Sequence, residues 1–181
     1  MANDGFTLLG DALWLDFINS ARGRTAFSPD LLPDSTAFAR WCELQHLEPP
    51  AEGASFALIV EFRDRLTELA QAMHDGGRTP AGAIASLNEL LARSAGTHQL
   101  TRVGGEWRLR FAPTRPPGAL EAIARSAAAT LAETRTAVRR CAGESCSLFI
   151  ADPSPTGSRR WCDPTLCGGT AVVERRRGNR R

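Results

Sequence analysis

The chain has 181 residues, 43% of them hydrophobic, and a net charge of +2 carried by 22 basic and 20 acidic residues. That length and apolar content suit one domain of ordinary size with a small appendage. No stretch approaches the eighteen or so consecutive apolar residues of a membrane helix, and the start, Met1-Ala-Asn-Asp-Gly-Phe-Thr7, lacks the basic and apolar segments of a secretory signal. A soluble cytoplasmic protein with no membrane partner is therefore expected.

The charge is unevenly divided. Residues 1–134 hold 12 arginines against 16 acidic residues, a net −4, whereas residues 135–181 hold 10 against 4, a net +6. Lysine is absent throughout. Arginine offers a planar fork of donors suited to phosphate and base edges, although a GC-biased genome would also favour it. Its clustering near the C-terminus therefore carries more weight than its identity.

In chain order, Leu9, Leu13, Trp14, Phe17 and Ile18 recur at helical spacing and predict an opening helix that fades near Gly23. Asp34 or Ser35 can cap a second helix that turns Phe38, Trp41 and Cys42 inward and closes before Pro49-Pro50. Phe56, Ile59, Val60, Leu66, Leu69 and Met73 form one face of a third helix ending at Gly76-Gly77. Thr79-Pro80 opens a fourth through Ile84, Leu87, Leu90 and Leu91, with Gly96 as its stop.

Between His98 and Phe111, two short segments flank Gly104-Gly105, and Trp107, Leu109 and Phe111 alternate with charged residues. This pattern predicts a β-hairpin whose two-residue turn takes positive φ. From Gly118, Leu120, Ile123, Ala127, Leu131 and Val138 predict a long helix running directly to Cys141. Ser147–Asp152 reads as a short strand, Pro153–Gly157 as a turn, and Ala171–Arg177 as a last short helix.

Cys141 and Cys146, then Cys162 and Cys167, form two C-x4-C pairs separated by fifteen residues. Two such pairs can close a tetrahedral site on one structural zinc ion, which favours four sulfur or imidazole ligands. Two disulfides are the competing reading, which requires an oxidising compartment. An all-thiolate site leaves no coordination position for water, which argues against catalytic zinc. Cys42 stands apart in an amphipathic stretch and reads as a small buried hydrophobe.

The segments Arg139–Asp152 and Ser158–Gly168 resemble the CGNR zinc-finger family in cysteine spacing, in the Arg-Arg-Trp before Cys162 and in Phe-Ile-Ala-Asp. The segments Ala12–Ser20, Phe38–Trp41 and Gly105–Leu109 resemble the ABATE domain that normally precedes that finger. The resemblance covers nearly the whole chain. It implies a bacterial, stress-induced transcription regulator whose zinc ligands are Cys141, Cys146, Cys162 and Cys167 and whose C-terminal segment contacts DNA. One departure is plain: Cys167-Gly168-Gly169-Thr170 stands where the family name describes Cys-Gly-Asn-Arg, so whatever that Asn and Arg do is in question here.

The expected fold class is mainly α with a small β-hairpin. It comprises a helical domain over residues 1–134 and a four-cysteine zinc finger with a basic end over residues 135–181. Arg159, Arg160, Arg175, Arg176, Arg177, Arg180 and Arg181 are the candidate nucleic-acid contacts, since such a cluster can neutralise phosphates; a solvated basic tail is the plainer reading. Asp16 and Asn19, with Arg22 and Arg24, either line a ligand pocket or bond backbone and arginine, and the second is favoured. The two-part layout leaves room for a small-molecule effector or protein partner at the helical domain and for a homodimer. His46, His74 and His98 are scattered, and no Gly-rich phosphate loop follows a strand, so the chain shows no enzymatic equipment. A DNA-binding regulator is the leading expectation. A zinc-stabilised protein-interaction module is the alternative, and thiol redox sensing by the same cysteines is a weaker third.

Overall fold

Four aromatic side chains set the centre of the structure. In the computed structural model, which describes residues 6, 8–21, 25, 28–51, 55–133 and 135–168, Phe17 packs against Phe38, Trp41 and Phe62 at centroid distances of 5.7, 5.6 and 6.3 Å. Trp14, Phe17 and Trp41 have no exposed surface. Offset aromatic contacts of this kind add to the large apolar area that each ring buries.

Five helices gather around this cluster: α1 (Leu13–Asn19), α2 (Ser35–Leu44), α3 (Phe56–Asp75), α4 (Ala81–Ala92) and α5 (Ala119–Ala132). The Asp34 carboxylate accepts the Ala37 N–H at 2.8 Å and caps α2, as its position predicts. Gly76, at φ 65°, takes the left-handed conformation that ends α3. Pro80 lies one residue earlier than expected, as the N-cap of α4 rather than its first residue, and α4 ends at Arg93, before Gly96. Arg63 is buried on the inner face of α3 because Asp30 meets its guanidinium with both carboxylate oxygens, one at 2.9 Å.

Strands β1 (Gly96–Val103) and β2 (Glu106–Pro113) pair antiparallel across Gly104-Gly105, both at positive φ. The expected hairpin is therefore present and extends two residues further at each end. Gly96 is its first residue rather than a helix stop. A side chain there would collide with the Phe111 ring, 2.4 Å from the Cβ position.

The predicted long helix to Cys141 is not formed. The α5 helix ends at Ala132, Glu133 is extended (φ −90°, ψ 100°), and Val138 lies on β3 (Ala137–Arg140), which pairs antiparallel with β4 (Phe149–Asp152). Val138 falls on the helical face by spacing, but the β-branched pair Thr136 and Val138 equally suits a strand. Pairing with Ala151 decides the outcome. The expected strand at 147–152 is present as β4.

Strand β4 joins the two cores. Phe149 and Ala151 pack with the helices, while Leu148 and Ile150 pack with the cysteines, as the alternation of side chains across a strand requires. Its inner edge pairs with β3. Among the described residues its outer edge has no third strand; instead the Asn19 side chain accepts from Phe149 N–H at 2.8 Å and donates to Phe149 C=O at 2.9 Å. The Gly10 carbonyl accepts the Ala151 N–H at 2.8 Å. Asp16 in turn accepts the Gly10 N–H at 2.8 Å.

Asn19→Ala strands two buried backbone groups, and an expected loss of about 2–4 kcal/mol follows. Urea unfolding measures it, and a loss under about 0.5 kcal/mol, the range of an ordinary surface change, would contradict this account. Asn19→Asp keeps the acceptor but sets a buried carboxylate oxygen against the Phe149 carbonyl, so it should cost at least as much as Asn19→Ala.

Burial raises the Asp16 carboxyl from 3.8 to about 6, against the pull of the Gly10 N–H. A carboxyl raised in the folded state favours folding at low pH, and its penalty grows as pH rises from the unfolded value through the folded one. Stability attributable to Asp16 thus falls by roughly 3 kcal/mol between about pH 4 and about pH 6. Asp16→Asn, which retains the acceptor, should remove that slope and exceed the parent protein above about pH 6. Denaturation at several pH values tests this; parallel curves for the two proteins would refute it.

Candidate metal centre

Each cysteine reaches the site on a locally determined turn. Cys141 leaves β3, and its N–H donates to Leu148 C=O at 2.9 Å. The chain turns back so that Cys146 N–H meets Gly143 C=O at 3.0 Å. Space at Gly143 is tight: a Cβ there would lie 3.0 Å from the Cys167 sulfur and 3.1 Å from Cys146 Cβ, so a side chain would require the cysteines to give by a few tenths of an ångström. The Asp163 carboxylate accepts the Thr165 N–H at 2.7 Å and caps a single π-helical turn, Pro164–Gly168, that presents Cys167. Nothing in the apolar spacing announces that turn.

The four sulfurs of Cys141, Cys146, Cys162 and Cys167 lie within 4.8 Å of one another, and none is in a disulfide. Cys162 Sγ is 3.5 Å from Cys167 Sγ and 3.8 Å from Cys146 Sγ. A tetrahedron with Zn–S bonds of about 2.3 Å has edges of about 3.8 Å, so the cluster has the dimensions of one zinc site. Cys162 N–H points at Cys141 Sγ at 3.2 Å, an outer contact that orients a thiolate ligand.

The donor chemistry agrees. Burial pushes the Cys146 thiol up to about 11 and raises that of Cys162. In Cys141 the burial penalty is outweighed by the N–H groups of Cys162 and Gly143, and the thiol titrates below its ordinary value. Buried thiols in mutual contact do not ionise together without a cation, and a divalent metal supplies it. Cys42 is different: burial, then the Glu43 charge, push it up to about 12. It is an inert core thiol.

The two finger arginines part company. Arg159 donates to the carbonyls of Ala151, Cys162 and Trp161 at 3.0, 3.0 and 3.2 Å and also reaches the Asp11 carboxylate. Its own N–H donates to Asp152 at 2.9 Å. Arg159 therefore fastens the loop before Cys162 to β4 and to the segment before α1. Arg160 is exposed, with its guanidinium 5.3 Å from the Trp161 ring centroid. Arg175, Arg176, Arg177, Arg180, Arg181 and the helix expected at Ala171–Arg177 lie outside the described residues, as do Arg22 and Arg24. Asp16 and Asn19 bond backbone, as the sequence favours.

Asp152, wholly buried, was not singled out by sequence. Burial alone would raise its carboxyl, but the hydroxyl and N–H of Ser154, the N–H of Arg159 and the charge of Arg139 hold it below the ordinary carboxylate range. The Asp-Pro-Ser run after a strand is the signal that marks it.

A helical domain carrying a closed four-thiolate zinc finger is the class that this fold and site define. The chain belongs to the ABATE family, described as "Putative stress-induced transcription regulator", whose model matches residues 11–134, and a CGNR zinc-finger model matches residues 137–180. No curated protein matches it significantly. Neither family is a family of enzymes, and no helix among the described residues is long and apolar enough to cross a membrane. The finger and its four thiols make the cofactor one structural zinc.

Purified protein should contain one zinc per chain by elemental analysis. Cys162→Ser should abolish stoichiometric zinc and lower the thermal midpoint of the whole molecule, because β4 belongs to both cores. Cys42→Ser should retain the metal. Zinc retained in the first variant or lost in the second would contradict the assignment.

Proposed function

We propose that this protein is a DNA-binding transcription regulator in which the zinc-held finger presents arginines to the nucleic-acid backbone. The observation that carries the reading is the four-thiol cluster beside exposed Arg160, leading into the Arg175–Arg181 segment of the sequence. Zinc, when bound, supplies folding energy and no reaction step.

The residues divide the work. Cys141, Cys146, Cys162 and Cys167 hold the metal. Arg159 braces the loop, and Arg160 with Arg175, Arg176, Arg177, Arg180 and Arg181 meets phosphates. The helical domain senses an effector or mediates association. Loss of the Asn-Arg that the finger family carries after its fourth cysteine favours a second reading, in which the finger contacts another protein.

Fluorescence anisotropy of labelled duplex with zinc-loaded protein separates the two. If roughly five arginines meet phosphates, log affinity should fall against log salt with a slope of about −4.5, and truncation after Val173 should remove most of it. Binding that survives competitor DNA at moderate salt supports a regulator with an operator. Negligible binding by both forms leaves the protein-interaction reading.

A further inference from the structure

We propose that one face of the β1–β2 ribbon is the surface at which two copies of this chain associate as a weak two-fold dimer. Nearly every residue on both faces of the ribbon is exposed. On one face Leu100, Trp107 and Leu109 are 66%, 67% and 67% exposed, and Phe111 lies beside them at 37%. An isolated two-stranded ribbon is marginally stable in water, and a contiguous apolar face on a free element marks an interaction site.

The order of side chains on that face points to a second copy as the occupant. Cross-strand pairing forms three rungs from tip to base: Arg102 opposite Trp107, Leu100 opposite Leu109, and His98 opposite Phe111. On each outer rung β1 supplies a nitrogen-bearing group and β2 an aromatic ring. Within one chain Arg102 already lies 5.8 Å from the Trp107 centroid, and His98 meets Phe111 edge-on at 5.6 Å.

A two-fold axis parallel to the strands, midway between two facing ribbons, sets β1 of one copy against β2 of the other. Arg102 then meets the second Trp107, Leu100 the second Leu109, and His98 the second Phe111. Guanidinium against indole is attractive, and leucine against leucine buries apolar area. The perpendicular axis would pair Trp107 with Phe111 and keep the leucines together, but it would set Arg102 against His98, away from the second copy's aromatic rings. The face is thus self-complementary in the sense that an isologous interface requires.

Its size sets the strength. A ribbon of eight-residue strands is about 27 Å long, which offers less than the roughly 800 Å² per partner of a standard interface. Dissociation in the micromolar range is expected. Glu106, Arg108 and Arg110 alternate onto the opposite face.

Sedimentation velocity of the zinc-loaded full chain from about 1 to about 200 μM, without nucleic acid, brackets that range. The expected result is a concentration-dependent monomer–dimer equilibrium that Trp107→Ser with Leu109→Ser abolishes and Arg108→Ser with Arg110→Ser leaves in place. Zinc content and circular dichroism verify that both variants are folded. A parent protein monomeric throughout, a dimer that persists in the first variant, or a dimer lost in the second would each overturn the proposal.

Discussion

The outer edge of β4 is the constraint on which the rest of the structure depends. A four-residue strand with both faces buried must pair its backbone on both edges, because unpaired buried amides and carbonyls are costly. Strand β3 serves one edge. On the other the molecule substitutes a side-chain amide and one loop carbonyl for a strand: Asn19 matches Phe149 in both directions, and Gly10 receives Ala151. The position of Gly10 is itself set by Asp16 and by the lack of space for a side chain, whose Cβ would lie 2.7 Å from Leu15 Cβ. Helix α1 is therefore as much a partner of the finger as a member of the helical core.

This arrangement links the metal to the helices. Leu148 and Ile150 cover the thiols, and Phe149 and Ala151, one residue along, complete the helical core. Free energy released when zinc draws the four thiolates together thus stabilises a strand that α1 also binds. Arg159 strengthens the joint by binding the carbonyls around Cys162 and the Asp11 carboxylate. A finger on a flexible tether would orient independently of the helical domain. Here the two share one strand, so a perturbation at α1 has a short physical route to the thiol cluster.

Most of this was legible wherever one local rule dominated. The Asp34 cap, the Gly76 terminus, the Gly104-Gly105 turn and the two C-x4-C pairs each rest on residues whose chemistry admits few alternatives. The run from Leu131 to Val138 misleads because a seven-residue apolar interval suits a helix, whereas pairing with Ala151, a contact thirteen residues ahead, determines the strand. The bond from Asn19 to Phe149 spans 130 residues, and no local pattern encodes it. Asn19 looks like any polar helix-end residue until the strand it serves is in place. Arg159 looks like half of an exposed Arg-Arg pair for the same reason.

Around β3, β4 and the thiol cluster several arginines are structural, and that changes how the basic charge of this region should be read. Arg63 is buried against Asp30, Arg139 lies beside Asp152, and Arg140 bonds Gln71 while covering the Phe149 ring at 4.7 Å. Arg159 is consumed by carbonyls. Arg63 and Arg159 use the planar fork to satisfy several acceptors at once, which lysine does less well, whereas Arg140 directs two N–H groups at the single Gln71 side-chain oxygen. Over residues 135–168, Arg135 and Arg160 are the exposed arginines among the described residues, and Arg135 lies at the Ser154–Gly157 turn. A net +6 over residues 135–181 therefore overstates the cationic surface next to the metal. Five of the ten arginines of that stretch of sequence follow Cys167.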